Sequence, residues 1–177
     1  VERISDHLFE KGAMVIPGQL SFSDNYYSIQ LASTFGGEDV APAQYYNATT
    51  PVIITGATSG VQAKVIGFKA ATSTTQPLLY VQYIKTGSDY KTEIFSDSEN
   101  ISADASITHT TTYSSNSASA TTHSSSAAQT GSAVTVEAGV YFIRGQFVRV
   151  TAETLVLSDT STTPSKRVGF TITETLV

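Results

Sequence analysis

The sequence predicts a mostly β chain: an antiparallel domain, sandwich-like or barrel-like, preceded by the end of an α-helix and carrying a long Ser/Thr-rich insertion. Three observations point there. The aromatic residues are 9 Tyr and 8 Phe with no Trp, set among many Thr, Val, Ile and Ser, the composition of pleated, half-buried surfaces. Apolar and polar residues alternate over short runs, the two-residue period of a strand. Turn residues recur at intervals of roughly 10 to 15 residues, the rhythm of all-β packing. A length of 177 residues suits one domain, or two small ones, with a core of ordinary size.

In chain order, Val1, Ile4 and Leu8 are spaced by three and four, which places them on one face of a helix. Gly12 can cap its C-terminus. A helix opening at Val1 has no N-cap, so the sequence reads as a piece of a longer or processed protein. The Val1, Ile4, Leu8 face is a candidate helix-assembly face, either a short cap on the β domain or the tail of an oligomerising helix. Pro17-Gly18 marks a turn. Tyr27, Ile29 and Leu31 share one face of a short strand over 26–31. Gly36-Gly37-Glu38-Asp39 and Pro42 form a loop. A strand over 52–55, the turn Gly56-Ala57-Thr58-Ser59-Gly60 and the alternating run from Val61 read as a hairpin. Leu78 to Ile84 is a strand, and Thr92 to Phe95 a short one. Residues 102–133 are dominated by Ser, Thr and Ala, with Ile107 and Tyr113 among little else apolar. Such a stretch buries too little surface to order itself alone, so it reads as a flexible loop or as an arm that orders only against neighbouring chains. Val140 to Val150 is apolar around Gly145, a tight turn or a bulge. Glu153 to Ser158 is a strand, and Arg167 to Leu176 a final one with Val168, Phe170 and Ile172 on one face. The chain thus divides into residues 1–12, the end of an upstream helix; 13–101, a first β-rich part; 102–133, a loop or projecting arm; and 134–177, a second β-rich part completing the domain.

Composition narrows the function. Charged residues are only 14%, and the net charge is −5, against roughly 25% charged in an average soluble protein. The surface therefore uses hydroxyls rather than charges. No cluster of Lys and Arg suggests a nucleic-acid groove, and no apolar run reaches the roughly 18 residues of a membrane helix. With no cysteine, thiol catalysis, disulfides and Cys-based zinc sites are excluded. His109 and His123 sit in the Ser/Thr-rich stretch and His7 beside Asp6, without the fixed geometry that a catalytic triad needs. Ser59 stands in the wrong place for a nucleophile elbow, and no Gly-Lys-Ser/Thr follows to make a phosphate loop. Asp97, Glu99 and Asp104 could gather oxygens around calcium but lack the ordered acid-and-glycine loop of a dedicated site. Sequons occur at Asn47 and Asn100. The expectation is a chain that is not an enzyme and takes no cofactor and no metal.

Three blocks carry a resemblance. The first is Glu2-Arg3-Ile4-Ser5-Asp6-His7-Leu8-Phe9-Glu10-Lys11-Gly12 with Val15-Ile16-Pro17-Gly18. The second is Thr55-Gly56-Ala57-Thr58-Ser59-Gly60-Val61, then Ala63-Lys64-Val65 and Leu79-Tyr80-Val81-Gln82-Tyr83. The third is Gly139-Val140-Tyr141-Phe142-Ile143-Arg144-Gly145-Gln146-Phe147-Val148, running on to Pro164-Ser165 and Arg167-Val168-Gly169-Phe170. Together they resemble a domain found in virion structural proteins of tailed bacteriophages, notably cyanophages and related myoviruses. The resemblance spans nearly the whole chain and is weakest in the Ser/Thr-rich stretch. It implies a component of the tail, baseplate or fibre, located in the virion and commonly a homotrimer, whose partners are copies of itself and other tail or baseplate proteins. It supplies no catalytic residues. The alternative expectation is a host-surface module of a phage fibre that binds glycans, with Tyr45 and Tyr46 as the candidate glycan contact.

Overall fold

The computed structural model describes residues 13–16, 18, 20–143, 145–171 and 173. The expected helix over residues 1–12, with the Val1, Ile4, Leu8 face, lies outside them. The described chain is mostly β and antiparallel, with no α-helix. No helix in it is long and apolar enough to cross a membrane.

The strands are β1 (Ala13–Ile16), β2 (Leu20–Gln30), β3 (Thr34–Phe35), β4 (Glu38–Asp39), β5 (Ile53–Gly56), β6 (Gln62–Lys69), β7 (Leu78–Lys85), β8 (Asn100–Ala103), β9 (Ile107–Thr108), β10 (Thr112–Tyr113), β11 (Ala118–Thr121), β12 (Ala128–Val136), β13 (Gly139–Ile143), β14 (Gln146–Val150) and β15 (Glu153–Ser158). Eight of them form one sheet in the order β11-β8-β5-β6-β7-β2-β12-β15, and β1-β13-β14 form a smaller one. The large sheet meets itself. Leu31, just past β2, bridges Thr122, just past β11. Ala32 N–H donates to the Thr121 carbonyl at 2.9 Å and His123 N–H to the Gln30 carbonyl at 2.8 Å. The circuit β2-β7-β6-β5-β8-β11 therefore closes, while β12 and β15 continue the sheet outside it.

The interior of that circuit is the core. Ile29, Leu31, Ile54, Val61, Val65, Leu79, Val81 and Ile101 fill it with the small residues Ala63, Ala103 and Ala120. A 3-10 turn, Pro42–Tyr45, inserts the fully buried Tyr45 among them. Small closed sheets are filled this way, by side chains alternating in size.

Several expectations are met and several are corrected. The 52–66 hairpin, the strand from Leu78 and the strand Glu153–Ser158 are present. Gly145, at φ +83°, makes a tight turn between β13 and β14. The loop expected at 36–39 is a miniature hairpin, β3 to β4, whose turn puts Gly36 and Gly37 both at positive φ, the requirement of a two-residue type I′ turn. The segment 102–133 is neither a loop nor a projecting arm. It supplies the end of β8, all of β9, β10 and β11, and most of β12. Ile107, Ala120, Ala127 and Ala133 are buried there, and so are Ser119, Thr122 and Ser132. Composition undervalued it because its inward positions need little bulk: Tyr45 and His109 fill the space, and the buried hydroxyls find hydrogen-bond partners. The strand expected at Thr92–Phe95 is absent. Asp89 instead accepts hydrogen bonds from the N–H of Lys91 and Thr92 and from the Thr92 hydroxyl, a local turn that competes with strand pairing. Residues 167–171 form no strand either. Val168 and Phe170 are exposed there, and an alternating pattern makes a strand only beside a partner.

The circuit is pinned by Glu99, which is only 2% exposed. Its Oε2 accepts from the backbone N–H of Thr58 at 2.9 Å and of Ser59 at 2.8 Å. Its Oε1 accepts from the Ser59 hydroxyl at 2.8 Å and the Ser96 N–H at 2.7 Å. Its own N–H donates to the Thr122 hydroxyl, and its carbonyl accepts from the Thr122 N–H. One residue thus joins the β5–β6 turn, the 96–99 loop and the closure point. Gly56 makes room for it, since a Cβ at 56 would stand 2.6 Å from Glu99 Oε2. Glu99→Gln presents an amide to donors that all require an acceptor. It is expected to lower the unfolding free energy by about 1–3 kcal/mol, measured by urea denaturation; an unchanged midpoint and slope contradict the pin.

Candidate functional site

Among the described residues, the chemistry-bearing ones singled out in the sequence do not converge, and His7 lies outside them. His109 Nδ1 accepts from the Ala41 N–H at 3.2 Å while Nε2 lies 2.7 Å from the Ser119 carbonyl. The ring therefore ties the 3-10 turn to β11, with Nε2 carrying the proton by assignment from those partners. His123 bonds within its own turn, to Ser125. Asp97 accepts from the N–H of Ser126 and Ala127, Asp104 from that of Ile53, and Glu99 is committed as described. These carboxylates act as separate backbone caps. Asn47 Oδ1 accepts from the N–H of Thr49 and Thr50 in an exposed turn, and the Asn100 amide oxygen accepts from the Thr121 hydroxyl.

The paired tyrosines face opposite ways. Tyr45 is 0% exposed, and its hydroxyl donates to Ser119 Oγ at 2.8 Å. Burial pushes its pKa far up. It cannot reach a glycan, and that half of the expected contact is withdrawn. Tyr46 is 39% exposed and rests against Phe68, ring centroids 5.8 Å apart.

Tyr46 stands on the wall of an open groove of about 550 Å³. Tyr26 of β2, Phe68 of β6 and Tyr80 of β7 line it with Thr135 of β12 and Thr154 of β15. Tyr26 and Tyr80 pack at 5.3 Å, and the hydroxyls of Thr135 and Thr154 are 3.0 Å apart. Beside the groove, β6 shifts register against β7 between Val65 and Gly67. Gly67 leaves room for the Tyr80 ring, whose Cδ2 would lie 3.2 Å from a Cβ at 67. Burial, then the neighbouring Tyr46, raise the Tyr26 pKa.

The groove continues into a polar end of about 420 Å³ lined by Lys69, Asp159 and Lys166. Asp159 pairs with Lys69 and accepts from the Tyr80 hydroxyl at 2.7 Å. The Asp159 carbonyl accepts from the Ser28 hydroxyl at 3.2 Å, so the turn after β15 is tied down over β2. Partial burial pushes the Asp159 carboxyl up, but the hydrogen bonds from Lys69 and Tyr80 and the two lysine charges outweigh it and hold the pKa below its ordinary 3.8. Burial, then the bond to Asp159, push Tyr80 far up. Neither Tyr26, Phe68 nor Tyr80 was singled out by sequence.

A second feature lies on the opposite face of the same sheet. Phe22 is paired with Val134, Val134 with Leu155, and Leu20 with Val136, and paired residues share a face. Val134 and Val136 are buried between them, but Leu20, Phe22 and Leu155 are 57%, 55% and 51% exposed. Phe147 and Val148 of β14 and Phe170 are exposed too. The apolar surface thus gathers on segments near both ends of the described chain. Comparison of the chain with family models, with curated proteins and with solved structures returns no match.

Because Asp159 is held below its unfolded value, its contribution to stability is fully present above pH 3.8. It is lost as the pH falls through the lowered native value. The stability gap between the native chain and Asp159→Asn is expected to be constant from neutral pH down to about 3.8 and to close between there and the lowered native value, read from urea unfolding across the acid range. A gap that widens on acidification contradicts the arrangement.

Proposed function

We propose that the chain is a structural component of a bacteriophage virion, in the tail baseplate or a tail fibre. It acts by self-assembly, as a homotrimer, and by attachment to neighbouring tail proteins. The observation that carries this reading is the exposed apolar set of Leu20, Phe22 and Leu155, arranged in register on one sheet face rather than scattered. Large exposed apolar residues in a contiguous row suit burial against another chain. The resemblance in the three sequence blocks gives that burial its setting. We read the closed strand circuit as a barrel-like rather than a sandwich-like body, a rigid unit suited to a particle part.

The use of titratable groups supports assembly over catalysis. Glu99, Asp97, Asp104 and Asp89 serve as acceptors for backbone N–H groups, which is structural work. A three-fold assembly repeats one surface of the chain about its axis, and the exposed Leu20, Phe22, Leu155 row offers an apolar one.

The test is the solution mass of the full-length protein by light scattering after size exclusion. A trimer is expected, and Phe22→Ser with Leu155→Ser is expected to shift it toward the single chain without loss of β signal in circular dichroism. A monomeric native protein that is also missing from the purified particle overturns the reading.

A further inference from the structure

The aromatic groove lies on the sheet face opposite to the Leu20, Phe22, Leu155 row, because Thr135 and Thr154 alternate with Val134 and Leu155 along their strands. Burial of the apolar row leaves the groove open. It is a separate feature and calls for a separate occupant.

We propose that this groove binds a saccharide chain bearing a carboxylate, with the sugar faces on the aromatic rings and the carboxylate at the Lys69–Lys166 end. The volume of about 550 Å³ falls within the roughly 300–1,000 Å³ of ligand sites. The partly exposed rings of Tyr46 and Phe68, packed together, and that of Tyr26, which packs against the buried Tyr80, are flat apolar platforms, and the two partly exposed tyrosines add polar tips. A pyranose presents complementary surfaces, an apolar face of C–H groups and a hydroxyl edge. The Thr135 and Thr154 hydroxyls offer donors and acceptors to that edge.

A peptide fits the same groove poorly. The groove crosses β6, β7, β2 and β12, whose neighbours are already paired on both sides. A peptide laid there finds no free ladder to join, and its N–H and C=O groups lose water without replacement. A saccharide carries no such backbone.

Charge selects the acid. Across a chain of net charge −5, the polar end gathers two ammonium groups, Lys69 and Lys166, around the single carboxylate of Asp159. Lys69 is bonded to Asp159, which leaves Lys166, an exposed residue, as the surplus positive charge. A local surplus of one sign favours a ligand group of the other. Tyr80 joins the two regions, its ring in the groove and its hydroxyl on Asp159.

The experiment titrates the full chain with tetramers of galacturonate, glucuronate and mannuronate, each beside its neutral methyl ester, by calorimetry and by amide shifts in NMR. At least one acidic tetramer is expected to bind, more tightly than its ester, with shifts at Tyr26, Phe68 and Tyr80. Tyr46→Ala and Phe68→Ala are each expected to weaken it about tenfold. Both side chains are partly exposed, and a native-like spectrum of each variant is the control for folding. Lys166→Gln is expected to reduce the acidic tetramer to the affinity of its ester. The proposal is overturned if no acidic tetramer binds at about 10 mM, if esters bind as tightly as acids, or if the tightest binder is unaffected by both aromatic substitutions.

Discussion

Glu99 is a carboxylate taken out of water with no cation beside it among the described residues. Burial of that kind is costly unless the charge is hydrogen-bonded. Here four donors converge on its two oxygens, three of them backbone N–H groups at places where strands have ended. The exchange is reciprocal. The turn 56–60 and the loop 96–99 hold N–H groups that no ladder can satisfy, and Glu99 satisfies them. Thr122, bonded to both the N–H and the carbonyl of Glu99, is also the residue that bridges to Leu31. Closure of the sheet and neutralisation of its loose ends are therefore one event.

Closure determines what the rest of the chain can do. A closed circuit has few free edges and buries its interior, so the outer face and the continuation through β12 and β15 are what remain for contact. The two faces of that continuation are chemically unlike. One carries Leu20, Phe22 and Leu155; the other carries tyrosines, threonine hydroxyls and the Asp159 pair. The turn after β15 is tied back by Ser28 and Ser132, whose hydroxyls donate to the carbonyls of Asp159 and Ser161. Gly131 permits this approach, since a Cβ there would run into the Ser158 carbonyl. Two side-chain bonds thus hold the polar end of the groove in place.

Much of this fold is legible in the sequence where apolar alternation and glycine turns coincide, as in β5, β6, β7, β15 and the β13–β14 hairpin. It is illegible where burial is achieved without bulk. Ala120, Ala127, Ser119 and Thr122 are buried, yet none of them differs in type from the exposed Ala118 and the exposed Ser and Thr around them. Their burial comes from partners distant in sequence, such as Tyr45 and Glu99. The adjacent tyrosines could be read as one in and one out, but only the 3-10 turn decides that Tyr45 is the inner one. The groove had a weaker signal. Tyr26 and Tyr80 stand out of phase with the inward Tyr27, Ile29, Leu79 and Val81, so their outward placement follows once the strands are known. That they meet depends on the β6–β7–β2 pairing, which no local pattern encodes.

The closure claim is tested most directly by native-state hydrogen exchange of the amides of Ala32, Thr122 and His123. The N–H groups of Ala32 and His123 carry the junction between the ends of β2 and β11, and that of Thr122 ties the junction to the Glu99 carbonyl. A circuit pinned by Glu99 opens only with the whole domain. Their exchange free energies are then expected to equal the global unfolding free energy and to match amides at the centre of β7, well above those of β14. Exchange of the three by local opening, at the rates of β14, contradicts a closed sheet and leaves Glu99 as a local cap.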